Sequence, residues 1–215
     1  MKHIEVVQGS EEWFRARLGK VTASRIADVI ARTRSGWGSS RKNYMAELVA
    51  ERLTGQPTDS YQSAAMKWGI DTEPAARAAY ELIHDVEVQR VGFIEHPTIA
   101  MAGASPDGLV GDDGLGEVKA PMTATHIETL LGGTIEGKYV AQMQFQMACA
   151  GRAWCDFVSF DPRMPAELQL YVQRVARNDS MISIMELDVI EFLVELAGTV
   201  ERLLALRSKA EPLSI

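Results

Sequence analysis

The chain has 215 residues, of which 47% are hydrophobic and 24% charged, values typical of one globular domain with a full core. Its first residues are charged and no stretch approaches the roughly 20 apolar residues of a membrane span, so we expect a cytoplasmic protein without membrane contact. The net charge of -7 argues by itself against a nucleic-acid partner, because phosphate contacts need lysine and arginine. Cys149 and Cys155 lie among apolar residues and predict buried free thiols, which excludes a disulfide framework and a zinc set.

The uneven distribution of the basic residues changes the conclusion about nucleic acid. Eight of them lie between residues 15 and 42, where Asp28 is the only acidic residue. Such segregation is typical of a basic groove on an acidic body, which holds DNA in one place and repels it elsewhere. A solvated basic face would give the same pattern. The eight residues are Arg15, Arg17, Lys20, Arg25, Arg32, Arg34, Arg41 and Lys42.

The first half of the chain predicts helices. After Lys20 a short helix is expected, because Thr22 and Ser24 are good N-cap residues and apolar residues follow at helical spacing. The glycine- and serine-rich segment 33–40 predicts a mobile loop. A second amphipathic helix follows that loop and is expected to end at Gly55.

The next two segments predict a helix and then a strand. Residues 64–83 are rich in alanine and favour a helix, in which Pro74 requires either a start near Thr72 or a kink. From Val86 the apolar residues alternate, which predicts a strand reaching Phe93.

The second half predicts a sheet covered by helices. Two strands are expected to flank a glycine-rich turn, over about 100–109 and 115–120. A buried helix over 139–151 and strands over 153–162 and 167–177 follow. A long amphipathic helix is expected from about Ile184 to Lys209, and we therefore predict an α/β fold, a central mixed β-sheet flanked by α-helices. The face of this last helix predicted to point inward carries Leu187, Ile190, Val194, Ala197 and Leu204.

The residues best suited to chemistry lie in the hairpin "ASPDGLVGDDGLGEVKAP", residues 104–121. If its strands pair antiparallel about Asp112, then Asp107 and Glu117 lie opposite each other, and Glu117 and Lys119 project from the same face. Mg²⁺ is commonly bound by one or two carboxylates together with water and substrate phosphate. The hairpin is therefore a candidate metal site for phosphodiester hydrolysis, in which Lys119 would orient or deprotonate the water and offset developing charge.

The hairpin has two other possible interpretations. Lys119 could form a surface salt bridge with Asp107 or Glu117, but the apolar Val118 and Ala120 favour a strand with one face in a core. An EF-hand calcium loop does not fit, because acidic residues do not recur at its first, third and fifth positions.

Several motifs together resemble one family. "SPDG" followed by "GEVK" is similar to the PD-(D/E)XK nuclease signature, with Pro106-Asp107 and then Glu117-Val118-Lys119. "RARLGKVTAS", "WGIDTEPAA", "YVAQMQFQM" and "FDPRM" occur in the order seen in the phage lambda exonuclease or YqaJ-type viral recombinase family. The resemblance spans nearly the whole chain, and it implies one PD-(D/E)XK nuclease domain over residues 1–215 with a restriction-endonuclease-like core.

The resemblance implies roles for the residues of the site. Asp107 and Glu117 would bind the metal, with the carbonyl of Val118 as a further ligand, and Lys119 would be the catalytic lysine. Glu73 resembles the family's upstream helical acid, which completes the site, and Gln144 resembles a glutamine that positions water or a phosphate oxygen. Gln142 is two residues from Gln144 on the predicted helix, so both cannot face the site, and we assign Gln144 to the site and Gln142 to a structural role. The implied cofactor is Mg²⁺, as two ions, for which Mn²⁺ can substitute.

The resemblance also gives the basic segment a role. Arg17 matches the arginine that binds the terminal 5′-phosphate, and Ser24 with Thr22 could complete that anion site. Further DNA contacts are expected from Arg15, Arg25 and Arg41. Trp37, with Met45 or Tyr44 nearby, could separate the strands at the duplex end, and the alternative is a loop aromatic that packs on its own helix.

The implied activity is a 5′ to 3′ exonuclease that degrades one strand of linear duplex DNA to mononucleotides and leaves a 3′ single strand for recombination. The implied partners are DNA ends, two further copies in a ring-shaped homotrimer, and a phage single-strand annealing protein. The setting would be a phage or prophage protein in a bacterial host. The alternatives are a structure-specific or restriction-type endonuclease and a non-catalytic module that binds DNA ends.

Overall fold

The computed structural model describes residues 2–34, 36–58 and 63–209, which form both strands and helices. The strands are β1 (Lys2–Ile4), β2 (Val21–Thr22), β3 (Arg32–Thr33), β4 (Gly36–Trp37), β5 (Val88–Gln89), β6 (Phe93–Glu95), β7 (Ala102–Ala104), β8 (Gly108–Val110), β9 (Gly114–Lys119), β10 (Trp154–Phe160) and β11 (Leu170–Ala176). The α-helices are α1 (Glu11–Arg17), α2 (Ile26–Val29), α3 (Ser39–Thr54), α4 (Ala64–His84), α5 (Thr123–Gly132), α6 (Gly137–Ala150) and α7 (Asp179–Lys209).

A five-stranded sheet of order β11-β10-β9-β8-β5 forms the centre of the fold. Strands β9 and β10 are parallel and the other neighbours are antiparallel, so the predicted mixed sheet is confirmed. In the β8–β9 hairpin Gly108 pairs with Gly116, which centres the turn on Asp112 as predicted. Gly111 has a φ of 52° in this turn, a backbone conformation that costs glycine little.

Helices cover both faces of the central sheet. On one face Tyr80 of α4 joins Val110 and Val158 in a small buried cluster. On the other face the apolar residues of α6 share the main core with Leu115 and Phe157. Since side chains alternate along a strand, the odd-numbered residues of β9 face α6. This alternation sends Glu117 towards α6 and Val118 towards α4.

A second sheet of order β1-β6-β7-β2 lies beside the first. The predicted strand over 100–109 is wrong in extent, because it comprises β7 in this sheet and β8 in the central one. The strand predicted from Val86 to Phe93 is likewise divided between β5 and β6. Short strands that end at a bend can move from one sheet to the other, which alternation alone does not indicate.

Local details of the first three helices differ from prediction. Thr22 lies in β2 and Ser24 in a 3-10 turn over Ala23–Arg25, so neither side chain caps a helix. Within the predicted mobile loop, β3 and β4 form a small hairpin, and Ser35 lies outside the described residues. Helix α3 ends before Gly55, which adopts the left-handed conformation as predicted.

Helix α4 is longer than the position of Pro74 suggested. It begins at Ala64, where the Ser63 side chain accepts a hydrogen bond from the Met66 amide, and it passes through Pro74. Of the two alternatives that Pro74 left open, the start near Thr72 is therefore wrong. Pro74 lacks an N–H for the Ile70 carbonyl, a loss that the flanking turns of this long helix tolerate.

Helix α7 buries a different face from the predicted one. Its inward residues are Ile182, Met185, Val189, Phe192 and Leu196. Leu187 and Val194, predicted to be inward, are 67% and 68% exposed, and Ile190, Ala197 and Leu204 are exposed as well. The exposed residues Ile184, Leu187, Ile190 and Val194 form what we call the α7 apolar stripe.

The cysteines and the hydrophobicity of the helices can be compared with the sequence analysis. Both Cys149 and Cys155 are buried and free, as predicted. No helix in the described ranges is long and apolar enough to cross a membrane.

Candidate active site

Asp107 and Glu117 meet at the end of the β8–β9 hairpin, as its register requires. Asp107 lies just before β8, and its Oδ2 accepts a hydrogen bond of 2.6 Å from the Val118 amide. That bond fixes the carboxylate against the catalytic strand. The structure leaves the predicted role of the Val118 carbonyl as a prediction, since the contact seen here uses the amide.

Glu117 is held by three donors. It is 1% exposed, and Lys119 Nζ and Gln142 Nε2 both donate to its Oε1, the latter over 2.6 Å. Gln146 Nε2 donates to its Oε2 over 2.6 Å. Hydrogen bonds to a charged acceptor are shorter and stronger than those between neutral groups, so these three donors fix the orientation of the carboxylate.

Gln144 lies on the other side of α6. Its Nε2 donates to the Ala176 carbonyl over 2.8 Å and its Oε1 accepts from the Asn178 amide over 2.8 Å. The expectation that Gln144 faces the acidic cluster is therefore wrong. Residues two apart on a helix differ by about 200° around its axis, whereas residues four apart share a face. Gln142 and Gln146 satisfy that spacing.

Glu73 is close enough to the cluster to influence it. Its charge contributes to raising the pKa of Asp107, and its side chain, 33% exposed, forms an ion pair of 3.0 Å with Arg77. The structure thus brings the predicted helical acid to the rim of the site rather than into its centre.

Burial and repulsion together set the protonation of the cluster. Burial, followed by the charges of Glu117 and Glu73, raises the pKa of Asp107 well above its ordinary value, although Lys119 and the Val118 amide oppose this. Burial also opposes the charge on Lys119, but Glu117 and Asp107 outweigh it and raise the pKa of the amine. Lys119 is therefore an ammonium group here, suited to donating hydrogen bonds rather than to removing a proton.

The acidic cluster fits a magnesium ion with water and phosphate ligands. Among the described residues no group of three or more His, Cys, Asp or Glu side chains is arranged to hold a metal. Two carboxylates are nevertheless the usual protein contribution to a Mg²⁺ site. The raised pKa of Asp107 reflects its burial and then the charge of Glu117, and a dication at this point would offset both effects.

A cavity of about 230 Å³ adjoins the cluster at Lys119. Tyr139 lines it, with Lys119 Nζ 5.0 Å from the ring centre, and Thr125 and Glu128 of α5 form part of its wall. The ammonium group is thus accessible from solvent on this side, although Glu117 is not.

Arg17 forms a cationic pocket close to the acidic cluster. Its guanidinium donates to Ser105 Oγ over 3.2 Å, lies 3.5 Å from Ser24 Oγ and stacks 4.1 Å from the centre of the Trp13 ring. Trp13 Nε1 donates to the same Ser105 Oγ over 2.9 Å. Thr22 Oγ1 lies 3.3 Å from Ser24 Oγ, so both predicted hydroxyls are present.

The charge of Arg17 has no carboxylate partner within the described ranges. Burial lowers its pKa to about 10, although Tyr44 and Glu51 act in the opposite direction, so the side chain stays charged at neutral pH. A partly desolvated guanidinium with hydroxyl neighbours alone is arranged to receive an anion.

The other arginines predicted to bind DNA are engaged within the protein. Arg15 pairs with Glu11 and Arg25 with Asp28 and Glu47. Arg41 is 4% exposed and pairs with Glu195 of α7 over 2.7 Å. These contacts do not support Arg41 as a DNA contact, and they reduce the free charge of the basic segment. Arg32 and Lys20 are likewise paired, with Asp188 and Glu95.

The three candidates for strand separation, Trp37, Tyr44 and Met45, all pack against other residues of the protein. Trp37 lies between Arg32 and Arg41, whose guanidinium carbons are 4.0 and 4.1 Å from its ring centre. Tyr44 is 2% exposed and Met45 is half-buried. None of these three side chains projects freely from the surface.

Sequence reasoning gave Gln142 the structural role that Gln144 has, and it missed Gln146, Trp13 and Ser105. Gln142 and Gln146 could have been found from the "QMQFQ" segment, whose first and last glutamines share a helix face. Trp13 is four residues before Arg17 on α1, and Ser105 is two residues before Asp107, but nothing in the sequence alone joins these two segments.

The fold, the acidic cluster and the Arg17 pocket together indicate a class of enzyme. A mixed sheet flanked by helices, with two carboxylates and a lysine at the end of one hairpin, is the arrangement of nucleases with the PD-(D/E)XK signature. A model of the YqaJ-like viral recombinase domain matches residues 12–153. The chain belongs to this family of phage-type nucleases. The extent of a single domain over residues 1–215 stays a prediction.

Solved structures give further comparisons. The chain is 52% identical to LHK-Exo, an alkaline exonuclease from Laribacter hongkongensis, with a TM-score of 0.86 over 93% of this chain and 99% of that one. A structure of LHK-Exo in complex with dAMP matches at the same identity and coverage with a TM-score of 0.87. A phage related exonuclease from Haemophilus somnus 129PT is 13% identical over 86% of this chain and 96% of that one, with a TM-score of 0.69, and shows the fold alone. None of the curated proteins compared with the chain matches it.

Proposed function

We propose that the protein is a Mg²⁺-dependent 5′ to 3′ exonuclease that degrades the 5′ strand of linear duplex DNA to mononucleotides. The observation that carries the proposal is the short link between the two clusters. Ser105, which accepts bonds from Arg17 and Trp13, is two residues before Asp107. An anion site and a metal site at this separation suit a strand whose terminal phosphate is held while the next bond is cut.

The side chains divide the work as follows. Arg17, with Ser105 and Ser24, binds the 5′-phosphate and sets the position of the strand. Asp107 and Glu117 would hold Mg²⁺, which supplies Lewis-acid activation of water and neutralises charge on the phosphate. Water attacks phosphorus and the bond to the 3′ oxygen breaks, so that the products are a 5′-mononucleotide and a strand with a new 5′-phosphate.

Lys119 and Gln142 complete this arrangement. Both donate to Glu117 Oε1, so both side chains lie beside the carboxylate that would hold the ion. Lys119, as an ammonium group, would stabilise the negative charge that develops in the transition state. The complex of LHK-Exo with dAMP supports a 5′-mononucleotide as the product class.

Digestion of linear duplex with labelled 5′-phosphate or 5′-hydroxyl ends tests the proposal. With Mg²⁺ we expect mononucleotides from 5′-phosphate ends, survival of covalently closed circles, and no cleavage in EDTA. Cleavage of closed circles would favour an endonuclease on the same fold instead. Tight binding of DNA ends with no cleavage in Mg²⁺ or Mn²⁺ would favour a non-catalytic end-binding module, and indifference to metal would remove the scheme.

Arg17→Lys is expected to weaken recognition of the terminal phosphate. Lysine keeps the charge but loses the forked donors and the stacking on Trp13. We expect the initial rate on 5′-phosphate ends to fall about 10- to 100-fold, the effect of losing one charged hydrogen bond, with little change on 5′-hydroxyl ends. Arg15→Lys, on the exposed face of the same helix, is the matched control and should leave both rates unchanged. Equal losses on the two kinds of end would contradict the role given to Arg17.

The partners follow from the same proposal. We infer a homotrimeric ring around the DNA, a phage single-strand annealing protein that receives the 3′ strand, and action in the cytoplasm of a bacterial host. The α7 apolar stripe supports contact with another protein surface, because exposed apolar residues in series on one helix face are typical of interfaces. Light scattering of the purified chain gives the number of copies.

A further inference from the structure

Gln146 is a polar side chain at the back of the acidic cluster that the proposed reaction does not use. It is 0% exposed on α6, and its Nε2 donates to Glu117 Oε2 over 2.6 Å. An amide at this depth costs free energy unless both its ends form hydrogen bonds. Its presence therefore indicates more than filling of the core.

The two oxygens of Glu117 are held in different ways. Oε1 accepts from Lys119 and Gln142, which are half-buried and lie towards the accessible side. Oε2 accepts from Gln146 alone among the described residues. A carboxylate oxygen has two lone-pair directions, so Oε2 keeps one acceptor site while Gln146 fixes the plane of the group from within.

The other end of Gln146 is unpaired. A carboxylate can only accept, so the amide nitrogen must face Glu117 and the amide oxygen must point elsewhere. In the part of the chain that the structure describes, Gln146 Oε1 is a buried acceptor without a hydrogen-bond partner. A buried acceptor beside a carboxylate, in a site suited to a hydrated dication, is placed to receive a donor that arrives with the ion.

We propose that Gln146 is a positioning residue for the metal site and acts through Glu117. Its N–H group holds the Glu117 carboxylate in one plane, and its unpaired carbonyl would accept a hydrogen bond from a water molecule that enters with the ion. The inference rests on the proposed function, since it takes Glu117 as a metal ligand. Gln146 is expected to affect the affinity for the metal ion, whereas Lys119 and Gln142 are expected to contact the reacting water or phosphate.

Mn²⁺ binding to the full chain tests the inference without any cleavage assay. Free Mn²⁺ is measured by its electron paramagnetic resonance signal during titration of wild type and Gln146→Met, in which methionine has a similar volume. We expect Gln146→Met to bind Mn²⁺ about 10- to 100-fold more weakly, the usual effect of removing a group that orients a metal ligand. Its Tm in EDTA should stay close to that of wild type, because removal of the unpaired acceptor offsets loss of the hydrogen bond to Glu117. Raised Mg²⁺ should restore its cleavage of DNA.

Gln144→Met is the matched control. Gln144 is equally buried on the same helix, but its amide joins α6 to Ala176 and Asn178. We expect this variant to have a lower Tm and wild-type affinity for Mn²⁺. The two variants should thus separate metal affinity from stability.

Three outcomes would overturn parts of the scheme in distinguishable ways. Equal Mn²⁺ affinity in wild type and Gln146→Met removes the role of Gln146 but leaves the metal site. Failure of wild type to bind Mn²⁺ or Mg²⁺ removes the metal site itself, and with it the proposed function. If neither Gln146→Met nor Gln146→Leu unfolds cooperatively, Gln146 is a structural residue of the core and the inference is wrong.

Discussion

Lys119→Met is expected to lower kcat for cleavage of linear duplex by at least about 100-fold, the usual contribution of a positioned proton donor or charge stabiliser. Methionine keeps the length of the side chain but removes the only cation that contacts Glu117 in the described structure. Because Arg17 is unchanged, binding of 5′-phosphorylated ends, measured by fluorescence anisotropy in Ca²⁺, should stay within a few-fold of wild type.

Lys138→Met provides the control for this prediction. Lys138 lies 4.7 Å from the ring centre of Tyr139, which Lys119 also faces, but it pairs with Glu136 at the surface. Wild-type kcat is expected for this variant. If Lys119→Met cleaves as fast as wild type, the catalytic assignment of the hairpin fails.

Asp107→Asn is expected to abolish cleavage and to stabilise the metal-free protein. The variant keeps an acceptor for the Val118 amide but removes the half-buried Asp107 carboxylate, whose ionisation is opposed by desolvation and then by the charge of Glu117. Relief of about 1 kcal/mol corresponds to a rise in Tm of about 2–4 °C for a chain of this size. Differential scanning calorimetry in EDTA measures the change.

The pH dependence of this effect has a definite sign. Because the pKa of Asp107 is raised in the folded state, the wild-type fold loses stability as pH rises from the ordinary pKa of aspartate to the raised value. Asparagine lacks this loss, so the advantage of Asp107→Asn should grow over that range and then stay constant. Asp112→Asn, at the exposed turn of the same hairpin, should change neither Tm nor activity. A lower Tm for Asp107→Asn in EDTA at neutral pH would contradict the repulsion.

The catalytic hairpin could be predicted because its information is local. The turn residues around Asp112 fix the register, and the register places Asp107 opposite Glu117. The same reasoning succeeded at Gly55, where a left-handed glycine ends α3. In each case the residues that decide the structure lie within one short segment.

The predictions for α7 and for the basic segment were wrong because the local sequence is compatible with more than one arrangement. Helix α7 has two apolar stripes at helical spacing, and only tertiary packing decides that Met185 and Val189 are buried while Leu187 and Val194 are exposed. The basic segment misled for a related reason. Arg41 meets Glu195 only because α7 folds back over 154 residues of chain, and no local pattern reports that contact.

The segment Ser105–Pro106–Asp107 has a consequence for the step size of the proposed reaction. Two residues span at most about 7 Å, and proline restricts the backbone further. Gln8 Nε2 also donates to the Pro106 carbonyl over 2.8 Å, which anchors the middle of the segment to the N-terminal strand region. The segment therefore fixes the distance between the site that binds the terminal phosphate and the site of cleavage. Its length, and not the DNA sequence, would set how many nucleotides leave at each turnover.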